Sequence, residues 1–248
     1  MVFDCLKQAF SFIRNDYILL SPFICSNLLV NILSNFNTSM SDVNVNSETG
    51  ISMILDMLPF VIVFFALDIV MTLLLLLMGQ TQLYNKKLYY NFIDILSRLK
   101  QLFPYLFILY CSLFVPFILL MVLGNIIFSF SDFIVMIFSV ICIIPVILYY
   151  QFLPCSIILK RYSFKDQFKR LFFIFYENPR VFSRWFFVFF MFWFIQLYLS
   201  VLVVYVENMF FYTVISVFSG MVKTVSVLFS FVLLSTLISK EDTIVLDT

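Results

Sequence analysis

Six mainly apolar runs follow one another along this 248-residue chain, at roughly 17–36, 51–79, 103–128, 131–158, 182–206 and 209–239. A bilayer's hydrocarbon core is about 30 Å thick, and a helix rising about 1.5 Å per residue needs about 20 apolar residues to cross it. No other fold accounts for so many runs of that length. The composition agrees: 63% of residues are hydrophobic and 12% charged, where a soluble domain is about half apolar and about a quarter charged. A soluble enzyme and a nucleic-acid binder are both excluded.

Charge between the runs sets the expected threading. The segments around 37–50, 129–132 and 207–208 carry Asp42, Glu48, Asp132 and Glu207 but neither Lys nor Arg. The remaining segments hold Lys7, Arg14, Lys86, Lys87, Arg98, Lys100, Lys160, Arg161, Lys165, Lys169, Arg170, Arg180, Arg184 and Lys240. The positive-inside rule then puts both termini of a multi-pass chain in the cytoplasm. Only Lys223 departs from the partition. The opening reads as a retained span and not as a cleaved signal, since Asp4, Lys7, Asn15 and Asp16 precede the first run and no small-residue cleavage site follows it.

A pattern recurs before alternate spans. Phe3, Leu6, Phe10 and Ile13 come at helical spacing before the first; Leu88, Phe92, Ile95, Leu96 and Leu99 before the third; Phe164, Phe168, Leu171, Phe172 and Phe175 before the fifth. Polar and basic residues occupy the opposite faces, as in helices lying in the membrane interface. Pro22, Pro104 and Pro179 then stand near the start of each following span, where a missing N–H costs little. The expected fold is therefore all-α and a single integral domain over 1–248. It has six transmembrane helices in three hairpins, each preceded by an interfacial amphipathic helix at roughly 2–14, 84–101 and 163–177. The basic side of those helices, with Lys86, Lys87, Arg98, Lys165, Lys169 and Arg170, is the expected contact for anionic membrane lipid or for a protein partner.

Catalytic chemistry has little to build on. The chain has no histidine, which removes the commonest general base and metal ligand together. Its five cysteines, Cys5, Cys25, Cys111, Cys142 and Cys155, show no CxxC spacing and read as small apolar side chains. HExxH and P-loop motifs are absent. No catalytic residue, metal or cofactor is expected, and an ATP-driven role would need a separate subunit.

Two ionisable residues lie deep in the runs: Asp68 two-thirds along the second and Lys223 near the middle of the sixth. A charge at a helix centre costs about 2.5–3.5 kcal/mol on insertion scales and tends to mark a functional path or a pair. Both helices are expected to run inward, and both residues fall roughly 20 Å from the outer helix end at about 1.5 Å per residue. Opposite charges at one depth predict an ion pair, either lining a transport path or locking two helices. Beside Lys223, the small residues Ser216, Gly220 and Thr224 should admit a neighbouring helix closely.

The opening Leu6-Lys7-Gln8-Ala9-Phe10-Ser11-Phe12-Ile13-Arg14-Asn15, leading into Leu19-Leu20-Ser21-Pro22-Phe23, resembles that of a group of prokaryotic six-helix membrane proteins. They are related to the membrane domain beside bacterial glycerophosphodiester phosphodiesterases. The stretch Phe168–Asn178 before a hairpin is similar in theme. The resemblance implies a membrane domain in a prokaryotic cytoplasmic membrane, with a role in lipid handling or as a transport partner, and carries over no catalytic residue. Six-span exporter permeases of the bacteriocin-immunity type are also similar in length, but their Glu-x-x-Lys opening is missing here. Together these readings lead to a non-enzymatic, transport-associated subunit whose partners are lipid and other proteins, such as an ATPase or a second membrane protein. The alternative is an independent small-molecule or lipid transporter working through Asp68 and Lys223.

Overall fold

The computed structural model describes residues 1–29, 50–83, 92–127, 132–159, 164–205 and 209–246. Every element among them is helical: α1 Val2–Asn15, a 3-10 turn Tyr17–Leu20 continuing into α2 (21–29), α3 Gly50–Leu83, α4 Phe92–Ile127, α5 Asp132–Leu159, α6 Phe164–Glu177, α7 Pro179–Tyr205 and α8 Met209–Leu246. Three stretches are long and apolar enough to cross a membrane: Phe65–Leu83 on α3, Pro179–Leu202 on α7 and Phe210–Ser239 on α8. They mark the chain as a membrane protein. Shorter apolar helices run over Tyr17–Leu29 and Val146–Leu159.

α8 is the centre of the bundle, packed by α7, α1, α5 and α3. Its sequence explains the position. Ser216, Gly220, Thr224, Ser226 and Ser230 are all buried and small, so neighbouring backbones can approach. Thr224 and Ser230 donate to the carbonyls of Gly220 and Ser226, one turn back, at 2.9 and 3.0 Å. A hydroxyl satisfied on its own helix brings little polar cost to the apolar core. At Gly220 an added Cβ would stand 2.9 Å from the backbone nitrogen of Ile24, so α2 and α8 touch main chain to main chain.

Bulky aromatic side chains fill the space where helices are further apart. Phe152 of α5 lies between Phe175 of α6 and Phe182 and Trp185 of α7, with ring centroids 5.6, 5.4 and 4.6 Å away. Trp185 is fully buried, and its indole N–H donates to Ser230 at 3.1 Å.

The three amphipathic stretches part company here. α1 and α6 are separate helices ending before Asp16 and Asn178. Asp16 restarts the chain by accepting from the backbone N–H of Ile18 at 3.1 Å. By contrast, residues 92–101 run without a break into the third apolar run as one helix, Phe92–Ile127, so no separate interfacial helix ends there. The sequence before Pro104, Ser97-Arg98-Leu99-Lys100-Gln101-Leu102-Phe103, is rich in helix formers, and Phe103 directly before the proline cannot cap a new start.

The face α1 turns inward also differs from the Phe stripe. Val2, Cys5, Ala9 and Ile13 are buried, while Phe3 and Phe10 are exposed at 67% and 51%. Cys5 and Ala9 let the helix lie close on α8, with the Cys5 thiol 3.8 Å from the hydroxyl of Thr236. The phenylalanines point away from the bundle. α6 follows the expected stripe more closely: Leu171 is buried, Phe168 and Phe175 pack on the core, and Phe172 is exposed.

Candidate functional site

Asp68, from the middle of α3, and Lys223, from the middle of α8, form an ion pair between Nζ and Oδ1. The second carboxylate oxygen accepts from the hydroxyl of Tyr150, on α5, at 2.5 Å. Three helices thus converge on one carboxylate. The ammonium also lies 4.7 Å from the ring centroid of Phe23 on α2, within cation–π range. Neither charge is sealed: the side chains of Asp68 and Lys223 are 19% and 32% exposed.

They open onto a cleft of about 260 Å³ between α3, α5, α7 and α8. Its polar lining comes from Asp68, Lys223, Tyr150, Gln151, Thr72 and Gln196, and its apolar walls from Ile147, Phe189 and Val227, with Trp193 beside Gln196. Gln151 is anchored, donating to the Ser226 carbonyl and the Ser230 hydroxyl at 3.4 and 3.3 Å. Tyr150 is held from behind, its backbone carbonyl accepting from the Tyr110 hydroxyl at 2.9 Å and its ring 4.7 Å from that of Tyr110. The side-chain amide of Gln196 makes no hydrogen bond to the described residues. The arrangement offers a carboxylate and an ammonium side by side, fixed by aromatic neighbours, with space in front of them.

The basic residues read as a contact surface are dispersed. Lys86 and Lys87 lie outside the described residues. Arg98 faces the protein, donating to Oε1 of Gln80 at 2.8 Å, while Nε2 of Gln80 donates to the Ile158 carbonyl at 2.9 Å. Arg98 thereby ties α4 through α3 to the end of α5. On α6, Lys165 is in the first turn, Arg170 is half-buried, and Lys169 is exposed, 6.0 Å from the Phe173 ring centroid. Beyond them, Asn27 donates to the Ser216 carbonyl at 3.2 Å, so the small-residue stripe of α8 is where α2 seats.

Sequence reasoning finds the two charges because any charge stands out in an apolar run. It passes over Tyr150 and Phe23, which are two among 13 tyrosines and 35 phenylalanines. Gln151 and Gln196 do stand out as amides within spans, but nothing in the sequence says that they share a cleft. Among the described residues no group of His, Cys, Asp or Glu is arranged to hold a metal, and Cys5, Cys25, Cys111 and Cys155 are free thiols. No family model, no curated protein and no solved structure matches this chain, so the cleft is read on its own chemistry.

Proposed function

We propose that this is a non-enzymatic, transport-associated membrane protein whose working centre is the Asp68–Lys223 cleft. One observation carries the reading: an ion pair within apolar helices faces a cavity lined by both polar and apolar side chains instead of being packed over. A pair that only locks helices needs no open space beside it, whereas a solute site must leave room at its charges. In this reading the chain crosses a prokaryotic cytoplasmic membrane six times, in three hairpins, with both termini inside. The test is release from proteoliposomes loaded with a small-molecule cell extract and followed by mass spectrometry. Wild-type protein should release at least one solute faster than protein-free vesicles and than the double variant D68N/K223M, which removes both charges together. Equal release from all three would make the pair purely structural.

A second reading, a subunit within a larger membrane assembly that includes an ATPase or another membrane protein, is favoured by α7. Only 6% of its apolar span is buried within the chain, against 72% for the span on α8. Purification from native membranes in mild detergent tests it, since a stoichiometric companion protein should accompany the chain. Emergence with lipid alone would leave the independent transporter.

A further inference from the structure

We infer that the cleft binds a small amphipathic zwitterion carrying one ammonium and one carboxylate, with an apolar group of a few carbons. The inference rests on reading the cleft as a solute site and names the class of solute. It starts from what the ion pair leaves unused. A carboxylate has about four acceptor positions and an ammonium three donors. Asp68 uses one position on Lys223 and another on Tyr150, and Lys223 uses one donor on Asp68. The other N–H groups of Lys223 make no hydrogen bond to the described residues, and Phe23 covers one side of the ammonium. Unused acceptors and unused donors therefore stand next to each other at the cleft.

Net charge selects among ligands. The pair sums to zero, so an amine or a carboxylate alone would leave one uncompensated charge in surroundings of low dielectric. A zwitterion lying alongside, its ammonium toward Asp68 and its carboxylate toward Lys223, completes an alternating square of four charges without breaking the existing pair. Size and wall chemistry agree. The volume of about 260 Å³ lies below the range of about 300–1,000 Å³ typical of sites for drug-sized ligands, so it suits a small solute. Ile147, Phe189 and Val227 supply an apolar wall, and the Gln196 amide supplies a further donor on the lining. A sugar of the same size would need hydrogen-bonding groups on every side, which these walls lack.

Leucine is a suitable probe, compared with 3-methylbutylamine, which lacks the carboxylate, and 4-methylpentanoate, which lacks the ammonium. Calorimetric titration of the full-length protein in a non-ionic detergent should show leucine binding at least tenfold more tightly than either analogue. D68N should turn the preference toward 4-methylpentanoate, and K223M toward the amine, a reversal that a merely structural pair would not produce. Gln196→Phe, which narrows the cleft at a half-exposed lining position, should weaken leucine binding without lowering the melting temperature. It serves as the variant readout if the charge variants fail to fold. Analogue affinities within threefold of leucine, or no binding of leucine at millimolar concentration, would overturn the inference. A short-chain phosphatidylethanolamine that displaces leucine would assign the site to a zwitterionic lipid headgroup, whose phosphate takes the place of the carboxylate, and overturn the free amino acid. The failures are separable. Solute release from extract-loaded vesicles without leucine binding sinks the zwitterion and leaves transport standing, while leucine binding without any release does the reverse.

Discussion

Asp68 and Lys223 each lie where a lone charge would be costly, and the contact between them makes both tolerable. Removing one partner leaves the other uncompensated, while removing both leaves a polar cleft without charge. D68N or K223M alone should lower the unfolding free energy in detergent by about 1–3 kcal/mol, below the 3–5 kcal/mol of a fully buried pair because both side chains are partly exposed. The double variant should recover to within about 1 kcal/mol of wild type, and additive losses would show that the two charges are not coupled. Gly220 and Gly79 give a second contrast. At Gly220 an added methyl meets the backbone of Ile24 at 2.9 Å, while at Gly79 it meets the Leu228 side chain at 3.1 Å. Gly220→Ala must push a whole helix and should cost about 1–3 kcal/mol. Gly79→Ala meets only a side-chain tip that can turn aside, and the better helix propensity of alanine offsets the crowding by up to about 1 kcal/mol. Equal melting shifts for the two would contradict the close seating of α2 on α8. At this scale the charges were legible in the sequence because charge is rare in these runs. Tyr150 was not, because an aromatic hydroxyl in so aromatic a chain carries no mark of what it bonds.

Helices were legible as helices, but their inner and outer faces only in part. The stretches on α7 and α8 have equal mean hydropathy, yet few residues of the first are fully buried and most of the second are. What separates them is side-chain size: α8 carries Ser216, Gly220, Thr224, Ser226 and Ser230 along its buried length, whereas α7 carries phenylalanine and tryptophan. In a bilayer, apolarity does not sort helix from lipid, and close packing does. The same physics turned α1 over. Its largest apolar residues, Phe3 and Phe10, are exposed, and the smaller Cys5 and Ala9 face α8. Ala9→Leu should therefore destabilise by about 1–3 kcal/mol through overpacking, while Phe10→Ser should change detergent unfolding by less than about 0.5 kcal/mol. The opposite order would restore the phenylalanine face to the core. α4 shows the third limit. A proline near a span start does not by itself end a helix: with Phe103 and not a capping residue directly before it, the helix continues through Pro104.

Over the whole molecule, burial falls outward from α8, and α7 forms an outer wall with Phe187, Met191, Phe194 and Tyr198 exposed. Such a wall can meet lipid or a partner helix, and the two tryptophans of the chain distinguish them because both are on α7. Trp185 is fully buried against Ser230 and Phe152, whereas Trp193 is 45% exposed at the rim of the cleft. In vesicles containing brominated lipid, a quencher that acts only at short range, W185F leaves Trp193 as the sole emitter and should be strongly quenched. W193F leaves Trp185 and should be nearly unaffected. That difference establishes which side of α7 faces outward in the purified chain. Repeating the measurement on W185F in native membranes then addresses assembly. Quenching as strong as in reconstituted vesicles means that lipid covers the wall and the chain works alone. Marked protection, lost when companion proteins are stripped away, means that another subunit lies on α7 and beside the mouth of the Asp68–Lys223 cleft. If W185F and W193F are quenched alike in the purified protein, the placement of α7 on the outside of the bundle is wrong, and the cleft it borders falls with it.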